Sequence, residues 1–125
     1  MSQIIAVGIG SFFGGISRYI FGVIVVKNIS ISFPISTLFI NIFGCLLFGF
    51  LVNHELLNDS NLLLKEFLLI GFLGGFTTFS AFSYEFLFLF QRNQVQTAII
   101  YSTVSIILGG LAIYIGIKLN QIYSN

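Results

Sequence analysis

Four long runs of apolar residues, parted by short polar stretches, make up almost the whole chain. The first, Ile4 to Val26, is interrupted by one charge, Arg18. The second, 33–52, holds none. The third follows Lys65 and Glu66, runs uncharged from Phe67 to Tyr84, meets Glu85, and continues through Phe86 to Phe90. The fourth, Val95 to Ile117, is again uncharged. At about 1.5 Å per residue, each run can cross a hydrocarbon core of roughly 30 Å. The pattern predicts an all-α membrane protein, a single four-helix domain over 1–125 with spans near 4–26, 33–52, 62–90 and 95–117. Water-facing turns are expected at Lys27 to Ser32, at His54 to Asn61 with Glu55 and Asp59, and at Gln91 to Gln94 with Arg92. Pro34 falls in the first turn of the second helix, where its missing N–H costs nothing.

The third run is the least uniform. Gly71, Gly74 and Gly75, with the hydroxyls of Thr77, Thr78, Ser80 and Ser83, crowd into residues 71–85, GFLGGFTTFSAFSYE. Lipid-exposed backbone cannot leave N–H and C=O groups unpaired, so this composition predicts a helix broken near its middle, in a place lined by protein. Broken helices at bilayer depth free carbonyls and amides, and they mark ion sites.

Composition sharpens the class. The chain is 57% hydrophobic and 17% aromatic and has nine charged side chains, five basic and four acidic. Its mean hydropathy is +1.04. Those values lie far from a soluble domain. A net charge of +1 without a basic run gives no footprint for nucleic acid. The single Cys45 excludes an intrachain disulfide and is expected to be a small packing residue. His54 is expected at the membrane interface. Residues 1–26 lack a basic leader segment and a small-residue cleavage site, so they read as a retained helix. With four spans, Lys65 and Lys118 fall on one side and Lys27 and Arg92 on the other. Two basic residues against two give no orientation signal, so the chain can insert either way. It is also too small to enclose a pathway alone. An antiparallel dimer answers both points.

Several residues carry candidate chemistry. Gly10 and Gly14, with Gly15 beside them, form a flat face that another helix can approach closely. Arg18 either snorkels to the interface or lines an aqueous vestibule that concentrates anions. Asn41 either bonds a neighbouring helix or lines a polar path, and Thr37 one turn earlier on the same face favours the path. Tyr101 and Ser105 stand four apart, on one face with Gly109. Thr78, Ser80, Asn41 and Tyr101 are neutral donors, the balance a conduction path needs if an ion is to enter and still leave. Phe79 and Phe82 stand three apart. Their positive ring edges can line an anion's route, although in a chain with sixteen Phe, space-filling is the commoner reason for two rings.

At these residues the sequence resembles a known family, the Fluc (CrcB) fluoride channels. Residues 71–85 look like the family signature G-F-x-G-G-x-T-T-F-S-T-F-S-x-E, with Ala81 in place of a Thr. Gly14-Gly15-Ile16-Ser17-Arg18-Tyr19 is similar to its first-helix element, and residues 36–44, STLFINIFG, to its second, with Ser36 replacing a Gly. The resemblance implies an antiparallel dimer with two pores and passive export of fluoride across the plasma membrane of a prokaryote. It implies that Phe79 and Phe82 present ring edges along each pore, with Asn41, Thr78 and Ser80 as donors and Tyr101 and Ser105 as a polar track. Gly109 stands where some members carry a serine. Arg18 would lie in the vestibule. The backbone carbonyls of Gly74 and Thr77 would hold a structural sodium ion (Na+) on the dimer axis. Glu85 belongs to the signature without an assigned role. The partner could be an identical copy or a diverged paralogue.

The rival from another class is a small proton-coupled multidrug exporter, also of four spans and dimeric. It needs a membrane-embedded carboxylate, typically in the first helix, where this chain has Arg18 instead. A non-conducting packing subunit would leave the hydroxyl cluster unexplained. No enzyme is expected, because no nucleophile and base can be placed together.

Overall fold

A computed structural model describes residues 1–28, 33–57 and 59–123, so part of the loop expected at Lys27 to Ser32, and Asn58 of the next one, lie outside the described residues. The described residues form helices joined by short turns and one break, with no strand among them. Helix α1 spans Ser2–Asn28 and α2 spans Ile35–Leu51. Single 3-10 turns at Glu55–Leu57 and Asp59–Asn61 lead into α3, residues 62–76. A two-residue break separates α3 from α4, Phe79–Gln91, and α5 spans Val95–Tyr123.

Three stretches are long and apolar enough to cross a membrane: Ser2–Lys27, Leu62–Gln91 taken across the break, and Val95–Tyr123. Helix α2 is shorter, 17 residues against the twenty expected, because Pro34 precedes it and Val52 closes it. Helix α5 runs past the expected Ile117. Its polar end is pinned where buried Asn120 donates through Nδ2 to the Phe50 carbonyl at 2.8 Å. Within α3, Glu66–Leu73 winds as a wider π-helix, which nothing in its residue types announced.

Glycines set the helix pairs. Gly10 and Gly14 of α1 lie against the backbone of Phe67 and Phe72 in α3, while Gly71 and Gly75 of α3 lie against Val7 and Ser11. In lipid, association rests on such close backbone approach. Helices α2 and α5 use the same device, with Gly49 against Ile113 and Gly116 against Leu46. Cys45 packs on Gly109 with a sulfur 3.6 Å from where a Cβ would stand, a small packing residue as expected.

Gly14→Ala would drive a methyl onto the Phe72 carbonyl, which as backbone cannot turn aside. Thermal unfolding in detergent should show a loss of about 1–3 kcal/mol. Gly8→Ala, with open space around it, should be neutral or slightly stabilising. Equal behaviour of the two variants would remove the α1–α3 backbone contact as the reason for these glycines.

Two apolar clusters complete the packing. Leu89, Ala98 and Tyr101 join α4 to α5, with Phe82 and Phe86 leaning on them. Leu57, Leu69 and Leu73 form the other. Leu57 thus leaves the loop expected to lie in water and tucks under α3. His54 is half-buried at the end of α2, its Nδ1 accepting the Leu56 N–H at 3.2 Å. Outward faces carry Ile9, Phe12, Phe13 and Ile16 on α1 and Ile106, Ile107 and Leu111 on α5, a surface suited to lipid.

Candidate functional site

The break falls at Thr77 and Thr78, whose backbones are extended (φ −78°, ψ 160° and φ −151°, ψ 122°). Its polar groups can be followed one by one. The Thr77 N–H still closes a helical bond to the Leu73 carbonyl at 2.9 Å, and the Thr77 hydroxyl donates to the same oxygen at 2.8 Å. The Thr78 N–H, which an unbroken helix would send back to Gly74, donates instead to Asn41 Oδ1 at 2.8 Å. Asn41 returns the bond through Nδ2 to the Thr78 carbonyl at 2.9 Å. The Thr78 hydroxyl caps α4 by accepting the Ala81 N–H at 3.2 Å. That leaves the Thr77 carbonyl without its helical donor, and Arg18 Nη1 donates to it at 3.1 Å.

Asn41 bonds a neighbouring element, with both halves of its amide spent on the break. Arg18 points inward, to the Thr77 carbonyl. It also borders a cavity of about 370 Å³ lined by Gly22, Ser36, Thr37, Thr78 and Ser80 among others. Ser80 is exposed there, with its hydroxyl 3.3 Å from that of Thr78. Ser80 and Ala81 of the first turn of α4 line the same cavity, and a helix N-terminus favours negative charge.

Nearly two turns along α4, Glu85 lies between α2 and α5. Its Oε1 accepts from the Thr37 hydroxyl and its Oε2 from the Tyr101 hydroxyl, each at 2.7 Å. These are the short distances of bonds to a carboxylate. Tyr101 is fully buried, at 0% exposure. Sequence reasoning placed Thr37 with Asn41 on one path and missed this triad. The available signal was that a lone carboxylate in an apolar run requires donors, and Thr37 and Tyr101 were hydroxyls within the facing spans.

Phe79 and Phe82 form a pair with ring centroids 5.7 Å apart, and Phe82 continues to Tyr101 at 5.2 Å. Phe82 is half-buried in the α4–α5 cluster, whereas Phe79 is 79% exposed beside the break. Other expected donors are spent locally: Ser105 Oγ donates to the Tyr101 carbonyl at 2.7 Å, and Ser83 Oγ to the Phe79 carbonyl at 3.0 Å. Arg18, Asn41, Thr77, Thr78 and Ser80 therefore gather at the break, Thr37, Glu85 and Tyr101 next to it, and Ser105 and Gly109 further along α5.

A family profile described as CrcB-like protein, Camphor Resistance (CrcB), matches residues 5–117. The chain belongs to the CrcB family. Relatives of the family include proteins named "Fluoride-specific ion channel FluC". One, from Azobacteroides pseudotrichonymphae, is 36% identical over 98% of this chain and 99% of its own length. Another, from Flavobacterium psychrophilum, is 38% identical over 94% of this chain and 95% of its own. A third, from Thermus thermophilus, is 37% identical over 95% of each. These are ion channels by name, in keeping with a sequence that offers no catalytic pair. All are bacterial.

The donor set at the break can be tested against the sodium ion that the family resemblance implies. Diversion of the Thr78 N–H to Asn41 frees the Gly74 carbonyl of its helical partner, and Gly74 is exposed with open space beside it. The Thr77 carbonyl keeps a second lone pair beyond its bond to Arg18. Two neutral main-chain oxygens suit a small, hard monovalent cation, and a second copy would bring two more. The residues fit.

Proposed function

We propose that this chain is a fluoride-selective passive channel that exports cytoplasmic fluoride, working as an antiparallel dimer with two pores, each lined by both copies. The observation that carries it is the exposed Phe79 ring paired with Phe82 at the N-terminal end of a half-helix, beside Ser80 and the Arg18 cavity. A small, strongly hydrated anion gives up water only for donors, and ring edges, hydroxyls and helix amides provide them without a fixed charge that would trap it. The names of the relatives supply the identity of the ion.

Hydrogen fluoride crosses bilayers as a neutral acid and dissociates inside, where the anion accumulates. A negative-inside potential drives that anion out at about 2.3 kcal/mol per 100 mV, so an open path in the plasma membrane suffices. The carbonyls of Gly74 and Thr77 would hold sodium, which when bound would satisfy their free lone pairs and stiffen the break. Glu85 holds α2, α4 and α5 in register through Thr37 and Tyr101. Against the multidrug-exporter reading stands the first span, which carries Arg18 and no carboxylate.

The test is fluoride efflux from liposomes containing only this chain, followed with a fluoride electrode, with chloride as the comparison ion. Efflux of fluoride alone is expected, and its absence overturns self-sufficiency. A second arm reads orientation. Two or three lysines added to one side should fix the topology and abolish efflux, and co-expression with the oppositely biased variant should restore it. Persistent silence on co-expression would rule out the antiparallel pair.

A further inference from the structure

Two side chains from outside the third span hold the break, and one of them is charged. Asn41 satisfies both backbone groups of Thr78. Arg18 reaches from α1, 59 residues away in sequence, to the Thr77 carbonyl. That oxygen depends on Arg18, because the Ala81 N–H that would serve it in a helix is taken by the Thr78 hydroxyl. Among the described residues, no carboxylate pairs with Arg18. A guanidinium that served only to draw anions into the neighbouring cavity would gain by keeping its hydration. This one is committed to a main-chain oxygen.

We propose that Arg18 is a positioning residue of the break, fixing the direction of the Thr77 carbonyl and leaving the Gly74 carbonyl as the more open oxygen for a cation. The second half rests on the sodium reading of the proposed function. Arg18 also places a positive charge against one of the two oxygens offered to the ion, so it lowers the affinity of the pair for sodium. The chain thus holds its break in shape without the ion and tunes how tightly the ion is taken.

The charge and the fork can be separated. Arg18→Lys keeps the charge and loses the planar fork and part of the reach, and Arg18→Met loses both. Amide hydrogen exchange at Thr78 and Ala81, measured on the reconstituted dimer, should quicken at least tenfold in Arg18→Met and measurably in Arg18→Lys. Fluoride efflux should fall equally at low and high salt. Should Arg18→Met fail to fold, Arg18→Lys alone decides through the same exchange rates. Unchanged protection in both variants overturns the proposal. So does an efflux defect that vanishes as the Debye length shrinks from about 30 to 3 Å, because a screened vestibule charge would behave that way.

Titrating sodium against a large organic cation, with dimer melting as the readout, tests the second half. Half-saturation should occur at lower sodium in Arg18→Met, and an unshifted midpoint overturns that half. If the parent's melting ignores sodium, the sodium reading fails by itself, and the exchange result still decides the role of Arg18.

Discussion

Phe79→Ile and Phe82→Ile should each cut fluoride efflux by roughly a hundredfold, equivalent to about 2.7 kcal/mol on the barrier, while the protein stays folded. Isoleucine keeps an apolar side chain of moderate size but has no positive edge to offer an anion. The two sites differ in what else they lose. Phe82 leans on Tyr101 and belongs to the α4–α5 cluster, so its variant should also melt lower. Phe79 is almost fully exposed in the single chain, so its loss should be felt in conduction with little change in stability. Liposome efflux and thermal unfolding on the same preparations separate these effects. Parent-like efflux in both variants would reduce the rings to filler.

The largest stability effect is expected at Asn41. Asn41→Leu leaves both the N–H and the carbonyl of Thr78 unpaired inside a membrane protein, each costing about 1–3 kcal/mol. Asn41→Asp keeps the acceptor for the N–H but turns an anionic oxygen toward the Thr78 carbonyl, so it should be no milder. Melting temperature in detergent and exchange at Thr78 read the result. A Leu variant as stable as the parent would mean that the break does not depend on the amide.

What the sequence revealed, and what it hid, follows from the range of the forces involved. The break was legible because glycine and hydroxyl residues in an apolar run report a local backbone need. The four helices, three of them long and apolar enough to cross a membrane, were legible because hydrocarbon thickness imposes a length on apolar runs. The partners of Asn41, Arg18 and Glu85 were not, since an amide 37 residues from its target carries no trace of it in periodicity. The same holds for the ends of the elements. Leu57 left its polar loop for a leucine cluster, and α5 outran its apolar run because Asn120 found the end of α2. In each case a tertiary contact overrode a local expectation. Thr37 and Asn41 share a face of α2, yet one serves Glu85 and the other Thr78. Spacing alone could not divide them.

The shortness of α2 bears on where an electric field is strongest. Seventeen residues rise about 25 Å, less than a typical hydrocarbon core, so a bilayer crossed by α2 would have to let lipid and water close in around its ends. Asn41, and with it the break, lies roughly 9 Å from the first residue of α2 and about 15 Å from the last. Mobile ions in the invading water act as the plates of a capacitor, and the dry layer between them is its dielectric. Under the proposed function, thinning that layer around α2 would steepen the membrane field across the break, where a permeating anion would have shed its water, so the drive per ångström would be greatest at the step that costs most.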